Sequence, residues 1–243
     1  MRDDALAVTW LGHATFRLTD ATGRVVLIDP WLGGNPTCPP GERLQKRVDV
    51  ILVTHAHRDH CEDAAPLARE HDADVVAGVE LCDWLSREGV KKCHDMGKGG
   101  TIAVGGLEVS MVRADHSSAL SQDGLPRYAG EPAGYVVRFP SGIALYHAGD
   151  TALFGDMALI AELHEPRVAM LPIGDRYTMS PRAAARACRL LRPRVAFPMH
   201  YGTWPALTGT VEAFREELRS VPGVELVAPR PGETVTLSAA RLA

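Results

Sequence analysis

The stretch Thr54-His55-Ala56-His57-Arg58-Asp59-His60 decides how the rest of the chain is read. It follows Val48-Asp49-Val50-Ile51-Leu52-Val53, a short apolar run rich in β-branched residues. That run predicts a buried strand leading straight into the motif. Three imidazoles and one carboxylate so close together have the density of a metal site rather than of a packed core. In extended chain His55 and His57 stand at i and i+2, so both rings can point to one side. Asp59 and His60 come where the chain must turn, and they can face a second point in space. One segment can thus offer two ligands to each of two adjacent metals. The plainer alternative is a polar loop of exposed histidines, which suits an isolated histidine better than His-x-His-x-Asp-His.

Working outward, the 243 residues suit one domain of generous size or two small ones. Hydrophobic content of 46% and charged content of 23% are those of an ordinary globular chain. No apolar run is long enough to cross a membrane. Met1-Arg2-Asp3-Asp4 carries acids where a secretory leader needs bases. The expected location is therefore the cytoplasm, with no membrane partner. Cys38, Cys61, Cys82, Cys93 and Cys188 are scattered and odd in number, which argues against a disulfide framework. Cys61 beside His60 reads as a small buried hydrophobe rather than a ligand. The net charge of −4 and the lack of a basic run argue against long nucleic acid and favour a small substrate.

The remaining pattern alternates strands and helices. Strands are expected at 7–11, 15–19 and 24–28, with a tight turn at Gly12-His13 and an end at Asp29-Pro30. Asp29, at the end of a buried strand, needs partners and reads as a group that orients a ligand histidine. His13 reads equally as such a support or as plain loop. Residues 33–41 form an irregular loop, a candidate substrate lid together with Trp31 and Leu32. Helices are expected at 61–71, 79–88, 154–164, 180–191 and 210–220. Ser180-Pro181 supplies an N-cap and a proline at the first helical position. Further strands are expected at 73–77, 107–113, 134–139, 143–146, 168–172, 195–198, 224–227 and 234–237. Residues 97–106 carry turn signals, and 121–131 read as a polar connection between two pseudo-halves, about 1–121 and 134–243. His116 and His200 follow strands as His55 does.

The central motif resembles the signature of the metallo-β-lactamase superfamily. The resemblance extends to Trp10-Leu11-Gly12-His13-Ala14-Thr15, Leu27-Ile28-Asp29-Pro30-Trp31-Leu32, Ala114-Asp115-His116-Ser117-Ser118, Tyr146-His147-Ala148-Gly149-Asp150-Thr151, Leu171-Pro172-Ile173-Gly174-Asp175 and Pro198-Met199-His200-Tyr201-Gly202-Thr203-Trp204-Pro205. These look like the UPF0173 metal-dependent hydrolases, close to ascorbate-6-phosphate lactonase-like proteins. The resemblance implies a single α/β domain over 1–243, a four-layer αββα sandwich with its metal centre at one rim. It implies a first metal held by His55, His57 and His116, a second by Asp59, His60 and His200, and Asp150 as the bridge. Asp59, Asp150 and His147 are the candidates for acting in the reaction itself, His147 as a support or as a group reaching the leaving atom. Nitrogen and oxygen donors suit zinc, while manganese, iron, nickel or cobalt also fit. Two close divalent ions imply a hydroxide nucleophile at neutral pH, attacking an ester-like bond such as a lactone, carboxylic ester or phosphodiester. An oxidoreductase of the persulfide dioxygenase type, with one iron, shares the motif and remains an alternative. A metal-binding protein without turnover is another. Trp204-Pro205, expected at the surface, makes a homo-oligomer possible.

Overall fold

The computed structural model describes residues 4–242; the start of the chain, Met1-Arg2-Asp3, and Ala243 lie outside the described residues. Two seven-stranded sheets dominate. The first runs, in spatial order, β16 (Thr234–Ser238), β1 (Ala5–Trp10), β2 (Phe16–Asp20), β3 (Val25–Ile28), β4 (Val50–Leu52), β5 (Asp74–Gly78) and β6 (Cys93–Met96). The second runs β15 (Glu225–Leu226), β14 (Val195–Met199), β13 (Val168–Pro172), β12 (Ala144–His147), β11 (Ala133–Arg138), β8 (Leu107–Arg113) and β7 (Thr101–Val104). Each sheet is antiparallel at one side and parallel at the other. A separate two-stranded hairpin joins β9 (Ala119–Gln122) to β10 (Leu125–Tyr128). The helices are α1 (Arg58–Cys61), α2 (Ala64–His71), α3 (Val79–Arg87), α4 (Met157–His164), α5 (Pro181–Leu191), α6 (Val211–Leu218) and α7 (Ala239–Leu242). No helix among the described residues is long and apolar enough to cross a membrane.

The layering follows from the two-residue period of a strand. Val26, Ile28, Val50, Leu52 and Val76 point into a core shared with Val109, Tyr135, Val137, Leu145 and Met170 of the other sheet. The residues between them, Leu27, Ile51, Val53, Val75 and Ala77, face outward and pack under Leu67 and Ala68 of α2 and Leu81 and Leu85 of α3. β4 and β5 are therefore apolar on both faces, as strands covered on both sides must be. On the far side the second sheet is covered by α4, α5 and α6, whose Ile160, Ala184 and Phe214 join the central core. This is the expected αββα sandwich.

Several local expectations hold. Ser180 caps α5, its hydroxyl accepting from Ala183 N, and Thr210 does the same for α6. Others change. The helix expected over 61–71 is two pieces, α1 and α2, because Asp63 is pulled out of line. Its Oδ2 accepts from Leu32 N at 2.6 Å and Gly33 N at 3.1 Å, and its own N–H donates to Pro30 O. The same contacts fasten the start of the loop at 33–41, in which Asn35 and Cys38 are buried while Gly33, Gly34, Pro36, Pro40 and Gly41 are exposed. Residues 101–104, read as turns, form β7, and the connection read over 121–131 holds most of the β9–β10 hairpin, which spans 119–128. Sheet membership also crosses the sequence halves. β7 and β8 lie in the second sheet, and β16 closes the first beside β1.

Candidate metal centre

The loops that leave β3, β4, β8, β12 and β14 meet at one rim, each carrying a polar residue into a space between the sheets. From β4 the chain stays extended through His57, whose φ of −65° and ψ of 143° place it just before α1. α1 then carries Asp59 and His60, and the His60 ring comes back to 4.1 Å from that of His55, centroid to centroid. His60 and Cys61 donate their N–H groups to His57 O, which locks that turn. The Cys61 thiol donates to Ala56 O at 3.4 Å and takes no part in the donor cluster.

Two donor sets result. His55 Nε2 lies 3.0 Å from His57 Nδ1, and His116 joins them with its donor atom within 4.8 Å of both. On the other side Asp59, His60 and His200 gather with His13, again with all donor atoms within 4.8 Å of one another. Asp150 stands between. Its Oδ2 is 2.9 Å from His200 Nε2, 3.3 Å from His60 Nε2 and 3.6 Å from His116 Nε2. All seven residues that the sequence singled out as ligands are thus brought together, and His55 and His60 also form a third cluster with Asp29.

Behind them Asp29 is fully buried and accepts three hydrogen bonds: from Thr54 N at 2.8 Å, from Thr54 Oγ1 at 2.7 Å and from His60 Nδ1 at 2.7 Å. It thereby fixes which nitrogen of His60 faces the site. Thr54 Oγ1 also lies 3.0 Å from His55 Nδ1. Ser118 Oγ accepts from Ala56 N, tying the His116 loop to the central motif. The backbone is strained here: His13, Asp29 and His200 have φ of 54°, 49° and 55°. Non-glycine residues in that region are uncommon and persist where surroundings enforce them. Gly149 is required, since a Cβ there would meet Ala133 O at 2.7 Å and Thr54 Cβ at 2.9 Å.

Of the two roles expected of His147, its contacts fit a support and not a group that reaches the leaving atom. It is fully buried, its Nε2–H donates to Ala14 O at 3.0 Å and its Nδ1 accepts from Gly149 N at 3.1 Å. With both nitrogens engaged it cannot serve a leaving group; it bridges β12 to the turn before β2. His13 is the opposite case, a residue sequence reasoning left undecided that the fold places inside the cluster. Its Nε2 lies 2.9 Å from Asp59 Oδ2 and its Nδ1 2.8 Å from Thr203 Oγ1. Thr203 stands in one of the stretches that carry the resemblance, but nothing in the sequence assigned it a role.

The electrostatics suit cations. Burial pushes the His55 ring well below its ordinary range, and burial likewise lowers His57 and His116, so all three are neutral as ligands must be. Burial, and then His200, push His13 down to about 4. Burial alone would raise the Asp150 carboxyl, but the attraction of His200 and His60 outweighs it and holds it well below the carboxylate range. For His60 burial works downward and is overcome by Asp150, Asp29 and Asp59, which hold the ring well above its usual value. Three carboxylates around one buried imidazole are an excess of negative charge that a cation offsets. His60 Nε2 and Asp150 Oδ1 are buried without a hydrogen-bond partner and so remain available as donor atoms. The residues present fit divalent ions.

Comparison with known proteins agrees with this geometry. The profile described as a beta-lactamase superfamily domain matches residues 24–201. A UPF0173 metal-dependent hydrolase of Koribacter versatilis is 48% identical, covering 94% of this chain and 97% of its own. One of Rubrobacter xylanophilus is 50% identical, covering 93% and 94%. Among solved structures, Igni18, described as a metallo hydrolase from the archaeon Ignicoccus hospitalis, superposes with a TM-score of 0.85 at 35% identity, covering 96% of this chain and 99% of that one.

Proposed function

The chain belongs to the beta-lactamase superfamily and, within it, to the UPF0173 metal-dependent hydrolases, and from that premise we propose that it hydrolyses an ester-like bond of a small molecule with two divalent ions. The observation that carries the dinuclear reading is the position of Asp150, whose one oxygen faces His116 of the first donor set and His60 and His200 of the second. Two cations held close together need such an anion between them. His55, His57 and His116 would hold the first ion, and Asp59, His60 and His200 the second, with zinc the best match to the donors. When bound, the pair supplies Lewis acidity toward a carbonyl or phosphoryl oxygen and lowers the pKa of water near neutrality.

The chain's own residues do the rest. Asp150 keeps Oδ2 between the two sets, and its buried Oδ1, which has no partner, stays available as an acceptor. Asp29 holds His60 with Nε2 toward the site. Asp59 and His116 retain side-chain exposures of 23% and 13%, so the site opens to solvent on their side. Trp204, 37% exposed, has its ring 4.9 Å from that of His13 and 5.6 Å from that of Trp31. It offers an apolar wall for the substrate beside the second donor set. The deciding experiment pairs metal analysis of the purified protein with turnover on a panel of lactones, carboxylic esters and phosphodiesters, while dissolved oxygen is followed. Two ions per chain and metal-dependent hydrolysis without oxygen uptake are expected. One iron with oxygen consumption would replace this reading with the oxidoreductase one, and absence of turnover across the panel with full metal loading would count against an ester-like substrate.

A further inference from the structure

His13 is buried, yet it lies in none of the strands and three strands away in sequence from the motif it touches. Its side chain and its backbone each reach a different member of the second donor set. Nε2 lies 2.9 Å from Asp59 Oδ2, the same oxygen that lies 3.7 Å from His60 Nε2 and 3.9 Å from His200 Nε2. The carbonyl of His13 accepts from His200 N at 2.9 Å and from Trp10 Nε1 at 3.0 Å. Asp59 enters from the β4 side and His200 from β14, so one residue links donors that come from opposite sheets. An ionised carboxylate only accepts hydrogen bonds, so the ring must carry its hydrogen on Nε2. Nδ1 is then an acceptor, and the one donor facing it is the hydroxyl of Thr203, 2.8 Å away and three residues beyond His200. Asp59 thus sets the tautomer, and the Thr203 hydroxyl, turned to donate, satisfies the Nδ1 that this tautomer leaves as an acceptor. The left-handed φ of 54° at His13 is the conformation that turns carbonyl and ring to these two places at once.

We propose that His13 is a positioning residue for the second cation, fixing the Asp59 carboxylate through its ring and the His200 loop through its carbonyl, with Thr203 holding the ring at Nδ1. The inference rests on the reading that Asp59, His60 and His200 hold a metal. Support of this kind behind a ligand commonly changes metal affinity 10–100-fold.

The test is a zinc titration of the chelator-stripped full chain in competition with a chromophoric chelator. Wild type, His13→Ala, His13→Gln, Thr203→Val and Thr203→Ser are compared, with circular dichroism as the fold control. Wild type should take up two equivalents. His13→Ala should weaken the second about tenfold or more and leave the first within about twofold. His13→Gln, whose amide N–H can still donate to Asp59, should recover part of the loss. Thr203→Val should weaken the second site with His13 in place, and Thr203→Ser should restore it. If His13→Ala does not fold, His13→Gln and the Thr203 pair carry the same test. Equal loss at both sites, or an unchanged second site, overturns the inference while leaving the two-metal reading intact. A zinc-loaded crystal structure with His13 Nε2 about 2.0–2.1 Å from the ion overturns it too, since His13 would then be a ligand. A wild type that takes up a single equivalent removes the two-metal reading itself and this inference with it.

Discussion

Replacing Asp29 with alanine should be among the most damaging single changes in the chain even when no metal is present. Three donors lose their acceptor: Thr54 N, Thr54 Oγ1 and His60 Nδ1, all buried. The Thr54 hydroxyl can turn to His55 Nδ1, 3.0 Å away, so two donors stay stranded. Each stranded buried donor costs about 1–3 kcal/mol. Alanine must also adopt the φ of 49° that aspartate tolerates, which adds about 1 kcal/mol. The total is about 5 kcal/mol, and for a chain of this size that lowers Tm by roughly 10–20 °C. Asparagine keeps the backbone preference and one acceptor oxygen, so Asp29→Asn should lose about half as much. Its amide would favour the His60 tautomer with hydrogen on Nε2, which cannot ligate, so affinity at the second donor set should fall by about 10–100-fold. Scanning calorimetry of the chelator-treated proteins measures the first effect and zinc titration the second. A fall in Tm of less than about 3 °C for Asp29→Ala would refute the argument that these bonds hold the rim together.

Four further outcomes are expected. Asp150→Asn keeps the shape but removes the charge between the donor sets, so it should weaken the second ion more than the first and lower single-turnover rate by orders of magnitude; bound metal and rate measured on one folded sample check this. His57→Ala should abolish hydrolysis and weaken the first ion while circular dichroism stays that of the wild type. His147→Gln should lower Tm with metal stoichiometry and rate per folded molecule unchanged, because both its nitrogens serve the scaffold. Burial lowers the His147 pKa below its ordinary 6.5, so the folded chain refuses a proton that the unfolded chain accepts. That contribution is complete above about 6.5 and is lost as pH falls through and below it. Chelator-treated wild type should therefore lose Tm between pH 7 and 5 more steeply than His147→Gln.

The elements legible in the sequence were those whose burial imposed a pattern. Val50-Ile51-Leu52 and Val168-Ala169-Met170-Leu171 are enclosed on both sides, and their apolar runs announce it. The cap at Ser180 was legible because a hydroxyl before a proline has one cheap use. β9 and β10 were hidden because nearly every side chain on them is partly or fully exposed, so no alternation records the pairing. β6, Cys-His-Asp-Met, sits at the margin of its sheet and is only partly covered, with the same result. At the site, residues that share a short motif were readable as a group. His147 was left between two roles because nearness in sequence to Asp150 said nothing about which way its ring turns. His13 stayed undecided for the converse reason: its partners, Asp59 and Thr203, are remote in sequence, and only the sandwich brings them together.

The pairing of β16 with β1 carries a consequence for biosynthesis. Ala5 lies opposite Ser238, so the outer margin of β1 stays bare until residues more than two hundred positions later have left the ribosome. At about 5–20 residues per second that interval is on the order of 10–50 s. Throughout it a strand reading Ala-Leu-Ala-Val-Thr-Trp presents unpaired amides and carbonyls to whatever nascent or neighbouring chain is close. The remedy in the finished molecule is late and distant, and contacts of such long sequence separation form slowly.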